Sequence, residues 1–297
     1  MALDYFVVDV FTQTPLKGNA LAVVMNTAAL TTERMQAIAR EFNLSETTFV
    51  ERRPLSVERA EGVRVRIFTT QEELNFAGHP TLGTASVLKT HALETVVDGT
   101  VTLALNVGPV PVRFAGAGLS GEMTQRDPEF GEELDPAIVA ELLGLSAEDL
   151  DASLPPQVVS TGTAFAIVVL RSVEALGRLK VDQEKATPWL RDRGGRWFYV
   201  LAPTNAINTS TEPEWRARMQ FNGGEDPATG SAAGCAIGYL VNRGAVASDA
   251  RIHVRQGAEI HRESDLFLCA RKESAKVTNV RVGGSTVFVA NGQIFQP

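Results

Sequence analysis

Two short runs bring together residues that could do acid–base chemistry. Asp226 follows Glu225 and opens Pro227-Ala228-Thr229-Gly230-Ser231-Ala232, while His79 follows Gly78 and opens Pro80-Thr81-Leu82-Gly83-Thr84-Ala85. Both read P-x-x-G-[S/T]-A ahead of an apolar stretch. A turn of this kind leading into a helix presents backbone N–H groups that lack intrahelical partners, and such an end attracts anions. Proline suits a first helical turn, glycine lets the backbone come close to a ligand, and the hydroxyl of Thr84 or Ser231 can cap or donate. Facing one another across a domain cleft, the two ends could grip a carboxylate from two sides. Either run alone could simply start a helix; the pair, each beside an acid or an imidazole, favours a site. Glu46, in SETTFV, is a third candidate: it heads a short strand on which Thr48 and Val50 share its face.

The same residue types admit other chemistry. Ser231, His79 and Asp226 supply the set of a serine hydrolase, yet Ser231 lacks the G-x-S-x-G elbow and Asp226 precedes it on the same turn. The glycines of GSAAGCAIG do not make the G-x-G-x-x-G of a dinucleotide site, and Gly230, Gly234 and Gly238 read more simply as allowing close packing of a helix. Cys235 and Cys269 have no CxxC spacing and too few histidines around them for a metal set, so no metal site is expected. Both cysteines read as small buried hydrophobes. His91, His253 and His261 have no motif context and read as surface or structural residues.

The elements that would position these groups repeat. GNALAVV at Gly18–Val24 is echoed by GTAFAIV at Gly162–Val168, displaced by close to half the chain, as are the two P-x-x-G runs. A duplicated domain fits a chain of 297 residues. Val63, Val65 and Ile67 alternate with Arg64 and Arg66 as in a half-buried strand, and two alternating runs flank Asn106–Pro109 as a hairpin. Met35, Ile38, Ala39 and Phe42 share one face of a helix that Thr31 or Thr32 can cap. A second helix is expected from near Pro80. Gly121–Pro156, rich in acids and proline, with short helices that start at Asp135-Pro136 and stop at Gly144, reads as the connection between halves. Strands then follow near Val158–Leu170, Arg196–Leu201 and Trp215–Phe221, with a helix from Pro227 to about Leu240. Neighbouring strands with few alternating helices predict an α+β fold of antiparallel sheets, each wrapped on a helix.

Composition excludes several functions. At 44% hydrophobic and 21% charged the chain is globular, and a net charge of -7 with mixed signs offers no surface for a nucleic-acid backbone. No apolar run reaches the roughly 18 residues of a membrane span. The start, MALDYFVVDVF, lacks a basic region ahead of its apolar residues and reads as a first strand, so a cytoplasmic protein is expected.

Taken together, GNALAVV, SETTFV, ELNFAGHPTLGTA and GEDPATGSAAG resemble the PhzF family of phenazine-biosynthesis isomerase-like proteins, over the whole chain. The resemblance implies a diaminopimelate-epimerase-like fold of two pseudo-symmetric lobes, each a curved, mainly antiparallel sheet around a central helix. The lobes expected are residues 1–125, completed by the last strand over 284–297, and residues 126–283, a structural repeat of the first, with the site in the cleft between them. It also implies an isomerase that moves a proton, and with it a double bond, in a small carboxylate-containing metabolite. Glu46 would carry the proton; His79 and Asp226 would assist; Gly78, Gly230, Ser231 and Asn19 would hold the substrate. No cofactor is implied, and a homodimer is. Related epimerases use two thiols where this chain has Ala77 and Thr229, which disfavours a two-thiol racemase. Two departures from the family pattern bear on substrate choice: Ala20 stands where many members have proline after G-N, and RMQFNGGEDP is short and polar ahead of the second motif. A binding protein of the same fold without turnover is the remaining alternative, with a hydrolase using Ser231 behind it.

Overall fold

Strand and helix are set here by which faces must be buried. Val63–Phe68 buries Val63, Val65 and Ile67 while Arg64 and Arg66 stay half exposed, the alternation of a strand with one wet face. Strands covered on both faces instead read as unbroken apolar runs, as in Asn19–Val24 and Ala164–Val169. The computed structural model describes residues 2–204 and 214–295. The chain divides into two units, Met1–Thr124 with Gly283–Pro297, and Gln125–Val282.

Unit 1 contains strands β1 (Leu3–Val10) and β2 (Asn19–Val24), helix α1 (Thr32–Phe42), β3 (Glu46–Glu51), α2 (Leu55–Glu61), β4 (Val63–Phe68) and β5 (Glu73–Leu74). It continues through α3 (Gly78–His91), β6 (Thr100–Leu105), β7 (Gly108–Phe114) and β8 (Ser120–Thr124). Pairing runs β1/β2 antiparallel, β2/β3 parallel, β3/β4 antiparallel, β4/β6 parallel, then β6/β7/β8 antiparallel. Helix α3 is buried from Gly78 to Leu88 and packs against β1, β2, β3, β6, β7 and β8. It carries no amphipathic pattern because no face of it meets water. On the other side of the sheet α1 lays Met35, Ile38 and Ala39 against Leu3, Val24, Phe49 and Phe68. Thr31 caps α1, accepting from the Arg34 amide, and Asn43 ends it in the left-handed region. Short α2, between Pro54 and Gly62, has no counterpart in the sequence pattern, because its seven residues are too few to show a helical period.

Unit 2 contains β9 (Glu129–Glu133), α4 (Pro136–Leu142), β10 (Gln157–Ser160), β11 (Ala164–Val169), α5 (Val173–Gly177), α6 (Gln183–Arg191) and β12 (Trp197–Pro203). There follow β13 (Glu214–Arg218), the small hairpin β14 (Gln220–Phe221) and β15 (Gly224–Glu225), α7 (Gly230–Asn242), β16 (Ile252–Gln256) and β17 (Ser264–Glu273). The last strand, β18 (Lys276–Ile294), begins in unit 2; its part from Gly283 belongs to unit 1, where it runs antiparallel to β1 with Leu3 opposite Ile294. Pairing in unit 2 runs β10/β11 antiparallel, β11/β12 parallel, β12/β13 antiparallel, β13/β16 parallel, β16/β17 antiparallel. This is the alternation seen in unit 1, again with the buried helix inserted before the fifth strand of the series. The echoing sequences GNALAVV and GTAFAIV fall on β2 and β11, which hold the same place in each series. Helix α7 packs on β10, β11 and β17, while α4, α5 and α6 bury Val139, Leu142, Leu176 and Leu190 with Val158, Val168, Phe198 and Val200.

Three expectations are corrected. Gly121–Pro156 is not a connection: its first residues belong to β8, β9 pairs with β10, and Leu134, Val139, Leu142 and Leu143 lie in the core. Its acids mislead because β9 turns exposed glutamates outward while the apolar residues are spread over a strand and a short helix. Val158–Leu170 is two strands, turning at Gly162 with φ +136. The second central helix opens at Gly230, three residues after Pro227.

Gly234 marks how tightly α7 is held. A Cβ there would overlap Gln125 Oε1, and that amide is engaged: Nε2 donates to the Gly230 carbonyl (2.9 Å) and Oε1 accepts from the Thr161 hydroxyl (2.7 Å). Gly234→Ala gains about 1 kcal/mol of helix propensity, but displacing Gln125 forfeits two buried hydrogen bonds and overpacks the contact, at about 3 kcal/mol. The expected outcome is a net loss of about 2 kcal/mol, read from urea unfolding; an equally stable variant would show that Gln125 has room to move.

Candidate active site

In unit 1 three elements end at one place. Gly18, in the left-handed region at φ +66, turns the chain into β2, and a Cβ there would overlap the Val10 carbonyl. Asn19 therefore opens β2. Glu46 opens β3, which runs parallel to β2 with Leu21 opposite Glu46. Two residues on, Thr48 projects from the same face of β3 and touches Thr84 of α3, oxygen to oxygen 2.8 Å, so Glu46 points to the α3 side of the sheet. Gly78 and His79 begin α3, whose N-cap residue Ala77 makes no side-chain capping bond. Asn19, Glu46, Gly78 and His79 are thus brought together at the N-terminus of a buried helix.

The contacts are specific. Asn19 Nδ2 lies 3.2 Å from His79 Nδ1, and His79 Nε2 lies 3.4 Å from Glu46 Oε2, close but not aligned as a hydrogen bond. Side-chain exposure is 6% for His79 and 16% for Glu46, so the carboxyl keeps a limited opening to solvent. Burial lowers the His79 pKa to about 3, outweighing the backbone of Ala20, which acts the other way. The imidazole is therefore neutral at ordinary pH, with one N–H and one lone pair.

In unit 2 the corresponding helix end is built differently. Thr229 is the N-cap residue of α7, followed by Gly230 and Ser231. The Thr229 hydroxyl donates to Asp226 Oδ2 at 2.7 Å instead of capping the helix, and the Asp226 amide donates to the Met219 carbonyl at 2.9 Å. Just ahead, Arg218 grips both oxygens of Glu225 with Nε and Nη2, at 2.8 and 2.7 Å, and ties the β14/β15 hairpin to β13. Asp226, Gly230 and Ser231 share this short stretch, with Ser231 half-buried.

The P-x-x-G runs prove to be unequal. In α3, Pro80 and Gly83 lie inside the helix, whereas in α7 Pro227 precedes it and Gly230 opens it. Gly83 serves packing and not a ligand: a Cβ there would sit 2.7 Å from Val10 Cγ2 and from Leu21 Cδ2. Thr84, fully buried on Thr48, neither caps nor donates to a ligand. The shared helix position is instead the N-cap, Ala77 and Thr229, with Gly78 and Gly230 after it. Cys235 is buried beside Thr161, its thiol pushed up to about 11 by burial. Cys269 is buried with the Arg281 guanidinium 3.0 Å from its sulfur. His91 stacks on Phe6 and His253 pairs with Asp265. Sequence reasoning missed Gln256, whose amide lies against the Asp226–Thr229 turn; it comes from β16, with no motif around it. Among the described residues, no group of three or more His, Cys, Asp or Glu is placed to hold a metal ion, and no helix is long and apolar enough to cross a membrane.

Comparison with known proteins places this arrangement. A family model described as phenazine biosynthesis-like protein, PhzC-PhzF, matches residues 8–292. A trans-2,3-dihydro-3-hydroxyanthranilate isomerase of Pseudomonas aeruginosa is 34% identical over 299 residues, 98% of this chain and 99% of that one. An uncharacterized isomerase of Mesorhizobium japonicum is 35% identical over 302 residues, 98% of each. Among solved structures, a PhzF-family phenazine biosynthesis protein of Bacillus anthracis is similar with a TM-score of 0.85 at 25% identity, over the whole of both chains.

The neutral imidazole has a measurable consequence. Because the folded state holds His79 below its ordinary value, the unfolded chain binds the extra proton, and stability falls as pH drops from about 6.5 toward 3. Above that window this contribution is fully present. One such group gives a slope of up to about 1.4 kcal/mol per pH unit. His79→Gln should show a correspondingly shallower loss between pH 6 and pH 4 in urea unfolding; parallel curves would mean that the imidazole accepts a proton inside the fold.

Proposed function

Since this chain belongs to the phenazine biosynthesis-like PhzC-PhzF family and is a PhzF-type isomerase, we propose that it relocates one proton, and with it a double bond, in a small carboxylate-bearing substrate. Glu46 is the group that carries the proton. In its carboxylate form it removes a proton from carbon; the electron pair left behind forms a new double bond while the old one opens toward a second carbon, and Glu46 returns the proton there. Atoms and electrons balance without a cofactor. The observation that supports this reading is the placement of Glu46: a mostly buried carboxyl at a strand start, 3.4 Å from an imidazole that is itself neutral. A neutral neighbour can exchange hydrogen bonds with either protonation state of the carboxyl, as a group that must take and give back a proton requires.

The remaining roles follow from the residue types. His79, held by Asn19, orients the Glu46 carboxyl. Gly78 and the open first turn of α3 offer backbone donors to a substrate carboxylate. In unit 2, Asp226 is assigned to a polar substituent of the substrate, with Gly230 and Ser231 as further donors. The same reading carries over a homodimeric, cytoplasmic protein. A hydrolase using Ser231 has less support than an isomerase, given the relatives.

The test uses trans-2,3-dihydro-3-hydroxyanthranilate, the compound in the relatives' names, in deuterated water, with proton NMR following isomerisation and deuterium entry at carbon. Glu46→Gln keeps the shape of the side chain but cannot titrate, and it is expected to lower turnover by about 10³-fold with binding retained. Undiminished turnover by Glu46→Gln would remove this residue from the mechanism. Binding by the wild type with no exchange at carbon would support the binding-protein alternative.

A further inference from the structure

We infer that Thr229, Gln256 and Tyr199 form a one-way hydrogen-bond relay that positions the Asp226 carboxylate, so that Thr229 and Gln256 are positioning residues for the reaction. The inference rests on the reading of Asp226 as a substrate-facing group.

The relay lies wholly inside unit 2 and can be followed donor by donor. Tyr199, on β12, is fully buried, and its phenol is held protonated by burial, reinforced by the charge of Asp226. Its hydroxyl therefore donates, to Gln256 Oε1 at 3.1 Å. That fixes the orientation of the Gln256 amide: Oε1 is the acceptor, also receiving the Thr229 amide at 3.2 Å. Nε2 is then the donor, to the Asp226 carbonyl at 2.8 Å and to Thr229 Oγ1 at 2.9 Å. Since Thr229 Oγ1 already accepts from Gln256, its own proton is directed outward, to Asp226 Oδ2 at 2.7 Å. Every donor in the series points the same way, and the series ends on a carboxylate oxygen.

The backbone is shaped to bring Gln256 there. Gly257, at φ +81, follows it immediately; a Cβ at this position would overlap the Arg262 carbonyl and sit 2.7 Å from the Pro227 carbonyl. The end of β16 therefore approaches the Asp226–Thr229 turn more closely than any side chain at 257 would allow. A fully buried amide with both ends engaged is expensive to build if a turn is all that is needed, and the backbone bond from Asp226 to Met219 already anchors that turn. What the relay adds is the placement of one carboxylate: Oδ2 is held by Thr229, which restrains how the group can turn.

The deciding experiment compares Thr229→Val, which keeps the volume and removes the donor, with Thr229→Ser, which keeps the donor. Two readouts are taken on folded protein, judged by its unfolding midpoint. The first, independent of any reaction, is the side-chain carboxyl ¹³C resonance of Asp226. It should shift in Thr229→Val and keep its wild-type position in Thr229→Ser. The second is the kinetics of trans-2,3-dihydro-3-hydroxyanthranilate isomerisation. A fall in kcat of about 10- to 100-fold with a much smaller change in KM is expected for Thr229→Val, restored by Thr229→Ser. If Thr229→Val does not fold, Tyr199→Phe tests the first donor of the series and should move the Asp226 resonance in the same direction by less. An unmoved resonance in Thr229→Val, or in Tyr199→Phe where that variant replaces it, overturns the relay. So does a Thr229→Ser variant as impaired as Thr229→Val, since then the methyl and not the hydroxyl matters. If the wild type does not turn the compound over at all, the functional reading fails, and the resonance still decides the relay.

Discussion

A helix enclosed by sheet has no side to show to water, so its polar groups can be served only at its ends. This constraint organises each unit. Helix α3 is buried from its first residue to Leu88, and α7 is buried along nearly its whole length. In the interior of each helix every backbone group has its partner one turn away; the first turn does not. The donors of Gly78 and Gly230, which have no partner within the helix, therefore sit where burial is deep and water scarce, the setting in which a donor interacts most strongly with an anion. Strand ends must reach the same level of the fold to close around the helix. That is why Asn19 and Glu46, the first residues of β2 and β3, stand beside the start of α3, and why the end of β16 reaches the start of α7.

The two helix starts share a frame and differ in content. At the N-cap, α3 has Ala77, with nothing to offer, and α7 has Thr229, whose hydroxyl is turned away from the helix and given to Asp226. Next to the opening glycine, α3 has His79 and α7 has Ser231. One start thus carries a neutral ring against a carboxyl from a neighbouring strand, the other a carboxylate oriented by its own turn. The difference in chemistry between the two starts lies in the residues at the N-cap and beside the opening glycine.

How much of this was legible in the sequence depends on whether a feature is local. The α+β class, the half-buried strand at Val63–Phe68, helix α1 with a threonine cap at 31 or 32 and the echo that falls on β2 and β11 all follow from short-range patterns and could be read directly. The family resemblance added the diaminopimelate-epimerase-like architecture, which the solved relatives bear out. Where pattern and burial disagree, the reading failed. The acids of residues 129–133 suggested a linker because an edge strand wets one side, although the helix start at Asp135-Pro136 was legible from its cap and proline. The P-x-x-G letters matched without the helix starts matching, since proline tolerates both a first turn and the position ahead of a helix. Gln256 was invisible for a stronger reason: its meaning is set by β16 pairing parallel to β13, a tertiary fact with no trace in neighbouring residues.

The same geometry bears on why a single glutamate suits the proposed reaction better than a pair of thiols. Inverting a carbon centre needs one group to remove a proton from one face and another to deliver a proton to the opposite face, hence two acids or bases fixed on two sides. Shifting a proton between carbons on one face needs only one group, which must be able to hold the proton and reach both positions. Ala77 and Thr229 leave the N-cap positions without a thiol, and neither alanine nor a threonine hydroxyl can act as a base at ordinary pH. Glu46 has the opposite properties: three side-chain torsions, a carboxyl with two equivalent oxygens, and a neighbour, His79, kept neutral by burial. A charged imidazole at 3.4 Å would pin the carboxylate as an ion pair and oppose its protonation; a neutral one leaves it able to turn and titrate. Burying His79 therefore serves the proposed proton transfer by what it removes, a fixed positive charge, as much as by the hydrogen-bonding ring it leaves in place.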